Sequence, residues 1–122
     1  VNDLIDRDVK PCVMKNENIQ NAIINISQNR LGATVVLDEN EKLLGIITDG
    51  DVRRMVEKGT PITALQAKDI MSHNPKTIES SELAVNAFNI MQKNKITSVV
   101  VLEEGKYIGL IHIHDILREG IV

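Results

Sequence analysis

Two short stretches of this chain place binding-type side chains at matching positions. Thr48-Asp49-Gly50-Asp51 follows the apolar run Gly45-Ile46-Ile47, and His112-Ile113-His114-Asp115 follows Gly109-Leu110-Ile111. A hydroxyl at the end of a strand, beside the unpaired N–H groups of a starting helix, suits a phosphate oxygen. Asp51, with Asp115 at the equivalent position, can accept two hydrogen bonds from a ribose diol. The same residues could serve only as helix caps, and capping and ligand binding are not exclusive. His112 and His114 alternate, so along a strand both would face one side, as a zinc ion would need. However, no cysteine cluster accompanies them, His73 lies far off near a turn, and Asp115 is the one close carboxylate. No metal site is therefore expected. His112 stands where the first stretch has a hydroxyl, and a hydrogen-bonding role that titrates near pH ~6.5 is expected instead.

Basic residues recur in step with these stretches. Arg30 and Lys95 each follow a predicted helix, where a cation is favoured by the helix macrodipole. Arg53 and Arg54 could pair with an anionic effector, with Asp49 or with Glu57. Adjacent helical residues point different ways, so surface pairing is the expectation for Arg53.

The elements that position these residues come from an internal repeat. Asn21-Ala22-Ile23 answers Asn86-Ala87-Phe88, Asn29-Arg30-Leu31 answers Asn94-Lys95-Ile96, and Val35-Val36-Leu37 answers Val100-Val101-Leu102. After a one-residue deletion, Lys42-Leu43-Leu44-Gly45-Ile46-Ile47 matches Lys106-Tyr107-Ile108-Gly109-Leu110-Ile111, and Asp51 and Arg54 fall on Asp115 and Arg118. Ile19, Ala22, Ile23 and Ile26 follow helical spacing, as do Ala84, Ala87, Phe88 and Met91. Asn16 and Ser81 are placed to cap these helices, with Glu17 and Glu82 in the first turn. Strands are predicted near 33–38, 43–48, 98–103 and 107–112, with polar turns at 38–41 and 103–105. A last helix starts near Gly50 and again near Ile113, and short extended pieces at 12–14 and 77–78 precede the first helix of each copy. The fold class is thus mixed α/β (α+β). It has two strand–helix–strand–strand–helix repeats, residues 1–62 and 63–122, expected to pack sheet to sheet with pseudo-two-fold symmetry. One copy alone would bury too little surface. Residues 58–68 read as the crossover linker.

Composition narrows the functions. The chain has 122 residues, 43% apolar and 25% charged, with one Phe, one Tyr and no Trp. This aliphatic core suits strands covered by helices, and the lack of aromatic platforms argues against single-stranded nucleic-acid binding. The net charge of −3 offers nucleic acid no attraction. The apolar runs are too short to span a membrane, and the N-terminus lacks signal-peptide features. The single cysteine, Cys12, reads as a small buried hydrophobe and fits a cytoplasmic location. The absent initiator Met suggests a fragment. With no Ser/His/Asp nucleophile set, P-loop or metal cluster, the chain is not expected to be an enzyme, nor to require a cofactor.

The run Gly45-Ile46-Ile47-Thr48-Asp49-Gly50-Asp51 resembles the phosphate-and-ribose motif of CBS domains. Asp3-Leu4-Ile5 and Asp69-Ile70-Met71, each followed by a proline (Pro11, Pro75), resemble the starts of CBS repeats. More narrowly, residues 45–55 and the ending Gly109 to Val122 are similar to the C-terminal region of the KpsF/GutQ sugar-phosphate isomerases. That resemblance implies a regulatory pair of CBS repeats, a Bateman module. It would be cut from an arabinose 5-phosphate isomerase whose chemistry resides in a preceding SIS domain and feeds Kdo and lipopolysaccharide synthesis. It implies a ligand site drawn from Thr48, Asp49, Asp51, Arg30, Arg54, Lys95, His112 and Asp115, with Arg30 and Lys95 facing phosphates. The implied effector is CMP-Kdo or an adenine nucleotide, and the implied assembly a homodimer through CBS helices. The alternative is a ligand-free oligomerisation module. His112 and His114 depart from the general motif, so the two half-sites are expected to differ chemically.

Overall fold

The computed structural model describes residues 1–120; the last two residues of the C-terminal motif, Ile121 and Val122, lie outside the described residues. Contacts divide the chain into two compact units. The first is Pro11–Pro75, and the second joins Val1–Lys10 to the chain from Lys76 onward.

In the first unit, β1 (Cys12–Met14), α1 (Ile19–Asn29), β2 (Ala33–Leu37), β3 (Leu43–Thr48) and α2 (Asp49–Glu57) follow in order. After a 3-10 turn at Ile62–Ala64 come α3 (Ala67–Ile70) and β4 (Ser72–His73). β1 and β2 are parallel, which requires a crossover, and α1 supplies it. β3 returns antiparallel to β2, and β4 adds to its far edge, giving the order β1-β2-β3-β4. Ile19, Ala22 and Ile26 of α1 pack with Val13, Val36, Ile47 and Met55, while Ile23 of the predicted stripe is partly buried. Each fully buried Ile contributes about 1.5–3 kcal/mol, so this stripe fixes which face of α1 meets the sheet.

The second unit repeats the plan with β5 (Thr77–Glu79), α4 (Ala84–Asn94), β6 (Ser98–Glu103), β7 (Lys106–His112) and α5 (Ile113–Arg118). Its sheet has three strands, in the order β5-β6-β7. Ile78, Ala87, Met91, Val99, Val101, Ile111 and Ile116 form its core, joined by Leu4 and Ile5 from the N-terminal segment. That segment is also tied down by a fork from Arg7 to Glu103 and by the backbone bond from Asn2 to Ser80. The duplication extends to a register shift in the same place, between Val36 and Leu37 and between Val101 and Leu102. None of the described helices is long and apolar enough to cross a membrane.

The strands and final helices fall close to their sequence-based positions, but the caps of the first helices do not. Asn18, not Asn16, caps α1 by accepting from the Gln20 N–H. Leu83 holds that position in α4 and makes no side-chain cap, so Ser81 is not one. Glu17 and Glu82 precede their helices and instead accept from the Asn21 and Asn86 side chains one turn on. At the other end, Arg30 and Lys95 are left-handed, with φ of 63° and 54°. The Asn29 amide bridges this turn, accepting from the Leu31 N–H and donating to the Ala33 carbonyl, which aims β2 back along the sheet.

Two pairs of equivalent residues differ in a measurable way. An added Cβ at Gly45 would lie 2.6 Å from the Ser72 carbonyl oxygen and 2.8 Å from the Met71 sulfur, because β4 passes directly over it. At Gly109 the nearest atom is the Val9 carbonyl oxygen, 3.8 Å away. Gly45→Ala should therefore destabilise by about 1–3 kcal/mol in urea unfolding, as overpacking does. Gly109→Ala should be neutral or stabilise by up to about 1 kcal/mol. Thr34 is fully buried and its hydroxyl has no hydrogen-bond partner among the described residues, whereas its repeat equivalent is the core residue Val99. Thr34→Val should raise stability by about 1–2 kcal/mol in the same assay, by removing a desolvated hydroxyl.

Candidate functional site

The first candidate half-site is the junction of β3 and α2. Thr48 is extended (φ −110°, ψ 170°) and Asp51 is the third residue of the helix, so each can reach the other's backbone. The Thr48 hydroxyl accepts from the Asp51 N–H at 3.3 Å, and Asp51 Oδ2 accepts from the Thr48 N–H at 2.9 Å and from its hydroxyl at 3.1 Å. This reciprocal capping box satisfies helix-end donors that would otherwise be unpaired. Asp51 Oδ1 is taken up as well, by Arg54 Nη2 at 2.6 Å and by the Ser72 hydroxyl at 3.0 Å. Asp51 is buried (6% exposed) and Arg54 folds over Gly50, its Nη1 3.3 Å from where a Cβ would stand there.

Not every residue of the sequence-based site joins this group. Asp49 donates its N–H to the Gly32 carbonyl and lays its carboxylate over Gly32, outside the Thr48–Asp51 box. Arg30 and Lys95 stand exposed at their left-handed helix ends, and no described hydrogen bond or ion pair ties them to either junction. Ser72 is the residue that sequence reasoning missed. A signal was available in Gly45, since a glycine inside a strand often marks a close backbone approach, here that of β4.

The second candidate half-site is the junction of β7 and α5. The His112 N–H donates to Asp115 Oδ2 at 2.9 Å and Arg118 Nη2 donates to Asp115 Oδ1 at 2.9 Å. In place of a hydroxyl cap, His112 Nδ1 accepts from the His114 N–H at 3.1 Å. That assignment places the imidazole proton on Nε2. The two imidazoles stack with centroids 4.7 Å apart. Among the described residues no three His, Cys, Asp or Glu side chains come together as metal ligands.

Burial first, and the neighbouring His114 second, hold the His112 pKa below its ordinary value, with Asp115 pulling the other way. Protonation would also destroy the Nδ1 acceptor of the cap. The unfolded chain therefore binds the proton more readily than the folded one, and stability rises with pH across this window. The contribution is complete above the ordinary histidine value of ~6.5 and is lost as pH falls through the depressed folded value. His112 should titrate by NMR below a free histidine, with the His114 amide shift following the same curve. His112→Thr should remove that component from the pH profile of urea stability; an unchanged profile would assign the proton elsewhere.

The model of the family described as "CBS domain" matches residues 1–58 and again residues 67–121. The arabinose 5-phosphate isomerase KdsD of Escherichia coli (strain K12) is 37% identical over 123 residues, an alignment that takes in all of this chain and 38% of that protein. The chain thus spans well under half the length of the curated relatives it matches. The fold is similar to that of the CBS-domain containing protein ATU1752 from Agrobacterium tumefaciens, with a TM-score of 0.84, 26% identity, and coverage of 97% of this chain and 90% of that one. It is also similar to the CBS domain protein PAE2072 from Pyrobaculum aerophilum complexed with AMP, with a TM-score of 0.84, 20% identity, and coverage of 94% and 88%. With a duplicated strand–helix–strand–strand–helix unit and two successive family matches over most of its length, the chain belongs to the CBS domain family, as a tandem pair.

Proposed function

We propose that this tandem pair, with repeats at 1–62 and 63–122, is a regulatory module without catalytic machinery of its own. It senses a nucleotide or nucleotide-sugar for a sugar-phosphate isomerase domain, of the SIS type, carried in the same longer chain in the cytoplasm. The observation that carries this reading is the carboxylate held at the same strand-to-helix junction in both repeats, Asp51 and Asp115, each beside an arginine one helical turn on. A carboxylate there suits a ribose diol, and an exposed Arg30 or Lys95 suits a phosphate. Thr48 and His112 would bind beside those carboxylates, and Arg54 would shift from Asp51 to the ligand. Asp49 would meet a sugar hydroxyl, since its charge repels phosphate. The KdsD relatives are arabinose 5-phosphate isomerases, and CMP-Kdo is the effector that this resemblance implies. The AMP complex of a protein with the same fold supports an adenine nucleotide. Bound ligand would act by favouring one arrangement of the module, to which the catalytic domain responds.

A second reading, an oligomerisation module without a ligand, is favoured by exposed apolar side chains. Ile24 and Val56 lie on helices of the first unit, and Val85 and Leu117 on helices of the second. Association through such faces would give a homodimer.

Thermal unfolding with CMP-Kdo, CMP, AMP, ATP and arabinose 5-phosphate separates the two readings. A true effector at one hundred times its Kd adds about 2.7 kcal/mol, enough to raise Tm by several degrees. Arg30→Ala with Lys95→Ala should weaken phosphate-bearing ligands while sparing the nucleoside. No shift with any of them at millimolar concentration, in a protein that sediments as a dimer, would leave the oligomerisation reading standing.

A further inference from the structure

The two candidate carboxylates differ in how much of their hydrogen-bonding capacity the protein has already used. An ionised carboxylate has about four acceptor positions. Asp51 fills all of them: the Thr48 N–H and hydroxyl on Oδ2, Arg54 and the Ser72 hydroxyl on Oδ1. Among the described residues Asp115 fills two, one per oxygen, from the His112 N–H and from Arg118. Its side chain is also more exposed, 17% against 6% for Asp51. A ribose diol brings two O–H donors and needs two open positions, which Asp115 has and Asp51 lacks.

Ser72 is central to this difference. The two Thr48 bonds belong to the capping box, and the Arg54 guanidinium is mostly exposed and can swing to an incoming anion. The Ser72 hydroxyl can turn about its own side-chain bond, but its backbone stays paired to Ile46 with its carbonyl against Gly45, so it remains beside Asp51 and competes with a ligand's hydroxyls for Oδ1. In the second unit the place over Gly109 is taken by Val9, an apolar residue standing farther out, and among the described residues no strand pairs with that edge of β7. Among the described residues no hydroxyl is delivered to Asp115.

We infer that Ser72 keeps the first half-site closed, so that a nucleotide seats first at Asp115 and reaches Asp51 only by displacing Ser72 from it. This rests on the proposed nucleotide-binding function. Entry of a diol at Asp51 is then linked to loss of the Ser72–Asp51 hydrogen bond, and loss of that bond to tighter binding there.

NMR titration of the chain with AMP tests the order directly. In the wild type, amide shifts at 112–115 should move first and saturate at one equivalent, while those at 48–51 respond only at higher AMP. Ser72→Ala, a change at an exposed residue, should tighten the second event about tenfold, the gain expected from removing a competing hydrogen bond to a charged group. Asp115→Asn, which keeps a cap acceptor, should abolish the first event only. Equal response of both segments in the wild type, or no change in Ser72→Ala, would overturn the inference while leaving nucleotide binding intact. No response anywhere, in the wild type or in Ser72→Ala, would overturn the adenine-nucleotide reading and this inference with it.

Discussion

A carboxylate buried at the start of a helix must find a donor for every lone pair it takes out of water, and the first unit is organised around meeting that demand at Asp51. An unpaired buried charge costs several kcal/mol, more than a marginally stable small unit can spare. Two donors come from the residue that ends β3, which fixes the angle between strand and helix. The third comes from one turn along α2. The fourth has to come from elsewhere in the chain, and Ser72 provides it from the segment beyond the 3-10 turn. This explains why β4, a strand of only two residues, lies on the edge of β3. Hydrogen bonding to Asp51 and the close approach over Gly45 hold one short segment from two sides.

The second unit meets the same demand differently. Asp115 keeps more contact with solvent and relies on fewer donors, so no equivalent of Ser72 is needed. The chain in the corresponding place is the N-terminal segment, held through Leu4 and Ile5 in the core and the Arg7–Glu103 fork on the surface. With that ion pair about half exposed on both sides, most of the anchoring comes from the apolar contacts. The division by packing therefore differs from the division by sequence similarity. Residues before Pro11 precede the first repeat's β1 in sequence but pack with β5, β6 and β7.

What the sequence revealed and what it hid follow from the range of the forces involved. The strands, the apolar stripes of α1 and α4, and the starts of α2 and α5 depend on local periodicity and were legible, the more so because each pattern occurs twice. The Thr48–Asp51 box spans four residues and could be read the same way. The cap of α1 falls on Asn18 and not on Asn16, because the two are equivalent in propensity and only tertiary packing decides which residue turns the chain; at α4 the position goes to Leu83, which has no capping side chain. Ser72 was hidden for a stronger reason: its partner lies 21 residues away, and nothing local to Ser72-His73-Asn74 marks a strand.

The two half-sites share one plan and differ at the cap, Thr48 in one and His112 in the other. A threonine hydroxyl both donates and accepts, so Thr48 can bond to the Asp51 carboxylate and the Asp51 N–H together. The imidazole of His112 uses Nδ1 as an acceptor and, in that tautomer, has no proton there to give to Asp115. The replacement therefore removes one donor from the carboxylate through its own chemistry, independently of the segment lying over β7. A cap without a hydroxyl and, among the described residues, no serine in the place of Ser72 both lower the donor supply at Asp115, while its greater exposure lets water fill the gap. A carboxylate served by water can exchange it for a ligand's hydroxyls at little cost, whereas one served by the protein cannot, and this is the physical basis for expecting the two repeats to differ in occupancy.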